Sequence, residues 1–132
     1  MTHEEQQARI EAIYSRWESV LGLDSWDIGR EFYPGTFINQ NGNATGDAAV
    51  ACTFTRWQYL HGSIWFNTAA AADQTDAQME EHVVHEMVHV LLNEMRDLCT
   101  EDEHPINLKH EERVCTTLAR AFLRASRTGE SA

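Results

Sequence analysis

The chain has 132 residues, 42% of them hydrophobic, which is enough for one compact core but not for two. Its 21 acidic residues outnumber its 10 lysines and arginines, so the formal net charge at pH 7 is −11. A surface this negative repels phosphate backbones and anionic lipids, which argues against nucleic acid and membranes as partners.

The first third of the chain shows a helical period followed by a strand pattern. From Glu4 to Leu21, apolar residues recur at threes and fours, which predicts an amphipathic helix that Gly22 ends. From Trp26 to Phe32, apolar and polar positions alternate until Pro34 stops the run, and this predicts a strand. Residues 37–48 contain Asn-Gly and Thr-Gly turn signals and are predicted to form a loop.

Two β-rich runs come next, from Val50 to Trp57 and from Tyr59 to Asn67. The short separation between them predicts a hairpin. In the second run, Leu60, Ile64 and Phe66 are predicted to share one face.

The second half of the chain predicts two helices. A wide apolar face runs from about Thr75 to Asp97, and either Asp73 or Asp76 is a suitable N-cap. The polar stretch from Thr100 to Pro105 interrupts the pattern, and a last helix is predicted from Asn107 to Ala125. Its inward residues are predicted to be Val114, Leu118, Ala121, Phe122 and Leu123.

The order helix, three strands, helix, helix predicts one α+β domain over residues 1–132, with frayed ends at residues 1–6 and 126–132. No run approaches the roughly 18 apolar residues of a spanning helix. The N-terminal residues are acidic and polar, whereas a signal peptide begins with a basic and then an apolar region. Three cysteines without a CxxC pair are predicted to be reduced and buried. These features predict a cytoplasmic protein.

The long predicted helix carries an HExxH motif, His85-Glu86-Met87-Val88-His89. Four residues of helix are one turn plus about 40°, with a rise of about 6 Å, so both imidazoles leave the same face. That span suits two nitrogens that each lie about 2.0–2.1 Å from one zinc ion. Glu86 lies one position round the helix, where it is placed to take the proton of a water in the open coordination position.

A zinc site needs a third protein ligand, which this motif does not supply. Leu92 and Met95 stand where metzincins have the glycine and third histidine of HExxHxxGxxH, so that class is excluded. The downstream candidates for the third ligand are His104, Glu111 and Glu112.

Other histidines and a tyrosine have ordinary interpretations. His82 shares the face of the two motif histidines, but about 10 Å of helix rise separates it from the second. It is therefore predicted to line a cleft rather than to bind the same metal. His110 is predicted to be exposed, and for Tyr59 and His61 a surface role is favoured over stabilisation of an oxyanion.

The motif and the last helix together resemble the gluzincin-type small zinc peptidases, in which a glutamate on the following helix completes the site. In the ImmA/IrrE-like branch, this glutamate is followed after two residues by a small residue and then a polar one. Here Glu112 is followed by Cys115 and Thr116 at those positions. The resemblance implies that Glu112 joins His85 and His89 in binding one zinc ion per chain. Thr116 is then expected to support a metal-binding histidine, where relatives often carry Asp or Asn.

The first part of the chain is similar to minimal gluzincins, in which an N-terminal helix and a small sheet precede the HExxH helix. This likeness implies a zincin-like fold whose edge strand, Ser63 to Asn67, lies beside the active cleft and pairs with extended peptides. The sequence also resembles SprT-like proteases, which would make His104 the third ligand. Those proteases act on DNA-bound targets through basic surfaces, whereas this chain is acidic, and Pro105 replaces the expected glycine.

Three functions are compatible with these features. The first is a zinc-dependent metallopeptidase that hydrolyses a peptide or protein substrate, with Glu86 as the general base. The second is a zinc-binding regulatory or interaction domain of the same fold with little or no hydrolysis. The third is an acidic partner-binding protein without a metal. The sequence indicates neither the substrate nor the oligomeric state.

Overall fold

The computed structural model describes residues 1–99 and 105–131. Within them the chain is an α+β fold of four α-helices and a three-stranded mixed sheet. None of the described helices combines the length and apolar composition needed to cross a membrane. Residues 100–104, with His104 and most of the predicted polar break, lie outside the described residues. The elements are α1 (His3–Glu18), β1 (Asp27–Tyr33), β2 (Ala51–Arg56), β3 (His61–Asn67), α2 (Thr68–Ala71), α3 (Asp76–Cys99) and α4 (Pro105–Ser131).

Helix α1 begins earlier than its apolar period indicates. Thr2 caps it, because its side chain accepts a hydrogen bond from the backbone nitrogen of Glu5 at 3.1 Å. Residues 3–6 and 126–131, predicted to be frayed, are helical. The helix ends at Glu18, three residues before the predicted end at Leu21, and a turn follows it. This turn contains Gly22, where φ is +71°, a conformation that glycine adopts without steric penalty. The buried apolar residues of α1 are Ile10, Ile13, Tyr14 and Trp17.

Strand β3 is the central strand of the sheet. The strand order is β1-β3-β2, with β1 parallel and β2 antiparallel to β3. The prediction that Ser63 to Asn67 forms an edge strand is therefore wrong, and β2 is the edge strand that packs against α3. The physical reason is burial, because Ile64 and Phe66 of β3 are both 0% exposed. A strand this buried needs hydrogen-bond partners for its backbone N–H and C=O groups, and β1 and β2 supply them from the two sides.

The core lies between one face of the sheet and helices α1 and α3. Ile28 and Phe66 of the sheet are buried there together with Met87 of α3. Helix α4 packs against α3, and its buried residues are Cys115, Ala119 and Leu123. Ala121, predicted to face inward, is exposed.

The start of α3 differs from its prediction. Thr75, rather than Asp73 or Asp76, precedes the helix as its cap. Its hydroxyl accepts a hydrogen bond from Gln78 N at 3.1 Å, and the Gln78 side-chain oxygen accepts one from Thr75 N at 2.9 Å. This reciprocal capping box satisfies two backbone donors at once, which a single aspartate cap does not.

Three further details were not predicted correctly. The short helix α2 was not expected. Leu60 lies outside β3 and is 44% exposed, because the β2–β3 connection is a 3-10 turn that ends in left-handed backbone at this residue (φ 55°). Cys52 and Cys115 are free thiols, as predicted, but Cys52 is only partly buried.

Candidate metal centre

Helix α3 places His85 and His89 one turn apart on the same face. Their Nε2 atoms are 3.1 Å apart, and their ring centroids are separated by 4.8 Å. The rings are inclined at 70° to each other, and their side chains are 17% and 9% exposed. The two nitrogens expected to bind metal therefore lie side by side.

Helix α4 brings a carboxylate to the same two nitrogens. Glu112 Oε2 lies 3.0 Å from His85 Nε2, and Glu112 Oε1 lies 2.9 Å from His89 Nε2. In a tetrahedral zinc site with bonds of 2.0–2.1 Å, ligand atoms are separated by about 3.3 Å. The separations among these three side chains are close to that value, so the residues present fit a zinc ion.

Glu111 contacts the other nitrogen of the same imidazole. Its Oε1 lies 3.3 Å from His89 Nδ1, and its side chain is 4% exposed. Arg96 Nη1 forms an ion pair with Glu111 Oε2 at 3.3 Å. Consecutive residues of a helix project about 100° apart, so Glu111 and Glu112 reach opposite sides of one ring. When Nδ1–H of His89 donates to Glu111, Nε2 is left as the lone-pair nitrogen that a metal requires.

The first motif histidine has a comparable support. Thr116 Oγ1 lies 3.2 Å from His85 Nδ1, which is the contact that the resemblance led us to expect at this residue. Both imidazoles therefore have a polar partner on α4 at Nδ1 and the Glu112 carboxylate at Nε2.

A buried amide connects the sheet to this cluster. Asn93 is 5% exposed and lies one turn after His89, with its amide 2.8 Å from Thr55 Oγ1. In the orientation that satisfies every neighbour, its oxygen accepts from Thr55 and its nitrogen donates to Glu111 Oε1 at 2.7 Å. Asn93 is not among the site residues predicted from the sequence. The signal was a polar side chain four residues after His89 on a buried helical face, where a polar group needs a partner.

Glu86 lies beside the two histidines, and a residue of the sheet forms a hydrogen bond with its side chain. Potential ligand atoms of His85, Glu86 and His89 all lie within 4.8 Å of one another. The hydroxyl of Thr53, on β2, donates to Glu86 Oε2 and lies 3.3 Å from the Glu86 backbone oxygen. Thr53 was not predicted as a site residue either, because nothing in the sequence pattern of β2 shows which helix its side chains contact.

An open cleft of about 450 Å³ leads to these residues. Helices α3 and α4 and the start of β2 line it, including Glu86, Glu112 and Ala51. His82 lies in the cleft wall, as predicted, with Nε2 3.2 Å from Gln74 Oε1. The predicted exposure of Tyr59, His61 and His110 is confirmed.

The electrostatics of the cluster favour a bound cation. Burial opposes protonation of His89, but hydrogen bonds to Cys115, Glu111 and Glu112 outweigh burial and raise the pKa of His89 to about 12. Hydrogen bonds from His85 and His89 hold the pKa of Glu112 well below its usual range. The carboxylates thus stabilise positive charge at the imidazoles, and a metal ion competes with protons for this position.

No family model matches the sequence, and it matches no curated protein and no solved structure.

Proposed function

We propose that this chain is a zinc-dependent metallopeptidase with a zincin-like fold. The observation that carries the proposal is the convergence of His85 Nε2, His89 Nε2 and the Glu112 carboxylate, with separations of 3.1, 3.0 and 2.9 Å. Two imidazoles and one carboxylate form a donor set used by catalytic zinc sites, which leave a fourth position for water or substrate. The open cleft gives a substrate access to that position.

Among the three nearby carboxylates, Glu112 is the ligand in this proposal. Its two oxygens lie next to both Nε2 atoms. The Glu111 carboxylate is on the Nδ1 side of His89, and Glu86 Oε2 accepts a hydrogen bond from Thr53. Glu86 is therefore available as a base, and Glu111 as a support for the imidazole.

Each remaining side chain then has a task. Zinc, when bound, polarises the scissile carbonyl and lowers the pKa of the attacking water towards about 7. Glu86 takes a proton from that water and returns it to the leaving amine. Glu111 and Thr116 orient the two imidazoles through their Nδ1 atoms.

The substrate is an extended peptide in this proposal. Strand β2 is an antiparallel edge strand, and its first residue, Ala51, lines the cleft. Backbone groups on an unpaired strand edge bind extended chains by strand addition. The sequence predicted this peptide-binding role for the segment Ser63 to Asn67, but that segment belongs to the central strand of the sheet, so we assign the role to β2. The net charge of −11 continues to argue against nucleic acid and membranes as partners.

The proposal is tested by zinc content and proteolysis in one series. We expect elemental analysis to find one zinc per chain, and mass spectrometry to detect cleavage of an unfolded protein substrate. Cleavage should stop with a chelator and return with added zinc. One zinc per chain without cleavage of any unfolded protein or peptide library would favour a zinc-binding regulatory domain. Protein that binds no zinc would contradict both interpretations.

The role of Glu111 makes a separate prediction. Glu111→Gln should weaken zinc binding about 10- to 100-fold, because outer partners of metal-binding histidines typically contribute that much. Competition titration with a chromophoric chelator measures the change. Glu94→Gln, an exposed position on the same α3 helix as the motif, is the control and should retain wild-type affinity. Equal affinities for the two variants would show that Glu111 does not support the site.

A further inference from the structure

The edge strand β2 presents hydroxyl groups towards α3. Alternate residues of a strand face the same side, so Thr53 and Thr55 share the face of β2 that meets the helix. Thr53 contacts Glu86, and Thr55 contacts Asn93. Each hydroxyl therefore pairs with a polar group of α3 in the region of the candidate metal centre.

We propose that Thr53 is a positioning residue for Glu86, a role that rests on the proposed function of this site. Its Oγ1 lies close to two oxygens of the same residue, the carboxylate Oε2 and, at 3.3 Å, the backbone oxygen. Both of these oxygens are acceptors when the carboxylate is ionised, so the hydroxyl must be the donor. Thr53 engages Oε2 and leaves Oε1 of Glu86 as the oxygen that accepts the proton of the attacking water.

The position of this carboxylate matters because proton transfer needs a donor–acceptor distance of about 2.6–3.2 Å. A glutamate side chain has three rotatable bonds, and Glu86 lines an open cleft, so a fixed position for its carboxylate needs a contact such as the one with Thr53. A misplacement of about 1 Å lowers a catalytic rate about 100-fold.

The test compares substitutions that remove or retain the hydroxyl. Thr53→Val should lower kcat about 10- to 100-fold, with KM and zinc content unchanged, because only the orientation of Glu86 is affected. Thr53→Ser should restore most of the rate, since its hydroxyl reaches the same oxygen. Thr117→Val is the matched control with wild-type kcat, because Thr117 is exposed on α4 and its hydroxyl donates to the Arg113 carbonyl at 2.9 Å.

A second readout does not depend on activity. In chelator-treated protein, Thr53→Val should change the urea midpoint less in a Glu86→Ala background than in the wild-type background. The reason is that Glu86→Ala has already removed the carboxylate to which the Thr53 hydroxyl donates. Additive midpoint shifts would overturn the contact itself.

The failures of the role and of the proposed function are distinguishable. If the wild type cleaves peptides and Thr53→Val keeps its kcat, or loses rate only through zinc or KM, the positioning role is wrong and the function stands. A wild-type protein that cleaves no peptide overturns both.

Discussion

Zinc affinity should fall more than about 100-fold in Glu112→Ala, beyond the roughly 10- to 100-fold effect of removing a residue that only hydrogen-bonds to a metal-binding histidine. Glu112 is the only described carboxylate whose oxygens lie about 3 Å from both His85 Nε2 and His89 Nε2, at 3.0 and 2.9 Å. Its removal leaves two neutral nitrogens and takes away the negative charge that offsets the metal. Competition titration at fixed pH measures the loss, and circular dichroism shows whether the fold is retained.

Two comparisons show whether Glu112 is the third ligand. Glu111→Gln should have the smaller effect, because Glu111 lies on the Nδ1 side of His89. His104→Ala should leave zinc affinity unchanged, because the site already has three ligands without it. If Glu112→Ala binds zinc normally and one of the other variants does not, the third ligand is that other residue.

Glu86→Gln should lower kcat by about 10²- to 10⁴-fold while the protein keeps its zinc. The amide has nearly the same shape as the carboxylate and still accepts a hydrogen bond from Thr53, but it does not accept a proton from water. The loss should therefore appear in kcat, with zinc stoichiometry unchanged. Initial rates on a peptide that the wild type cleaves, together with elemental analysis, measure both quantities.

The control for this substitution is Glu94→Gln, two turns further along α3 and exposed. It makes the same change of charge and shape on the same helix and should retain the wild-type rate. A wild-type rate in Glu86→Gln would show that Glu86 is not the base. Loss of zinc from that variant would instead indicate that Glu86 binds the metal.

Local periodicity predicted the main elements because each is encoded by neighbouring residues. The apolar spacing of α1 and α3 and the alternation of β1 were sufficient to place them, with errors of a few residues at their ends. The choice between neighbouring residues for the same role, such as the cap of a helix, was predicted less well. Thr75 caps α3 although Asp73 and Asp76 are suitable residues, because Gln78 is placed to complete a reciprocal pair only with Thr75.

Strand order was not predictable from any one segment. The pattern of β3 is that of a buried strand, and it does not record which strands lie on either side. The parallel pairing of β1 with β3 joins residues that are more than 30 positions apart, for example Asp27 and His61. Only the tertiary structure shows that β2 is the strand that packs against α3. Thr53 and Thr55 of this strand contact residues of the candidate site, although they belong to no recognisable sequence motif.

By itself the sequence determined that His85 and His89 share a face of one helix, because four residues span little more than one helical turn. Only the tertiary structure decided which carboxylate meets their Nε2 atoms. Glu111 and Glu112 are adjacent, and the choice depends on how α4 is rotated against α3. The packing of Cys115, Ala119 and Leu123 sets that rotation, which is a property of two helices in contact and not of either sequence segment alone.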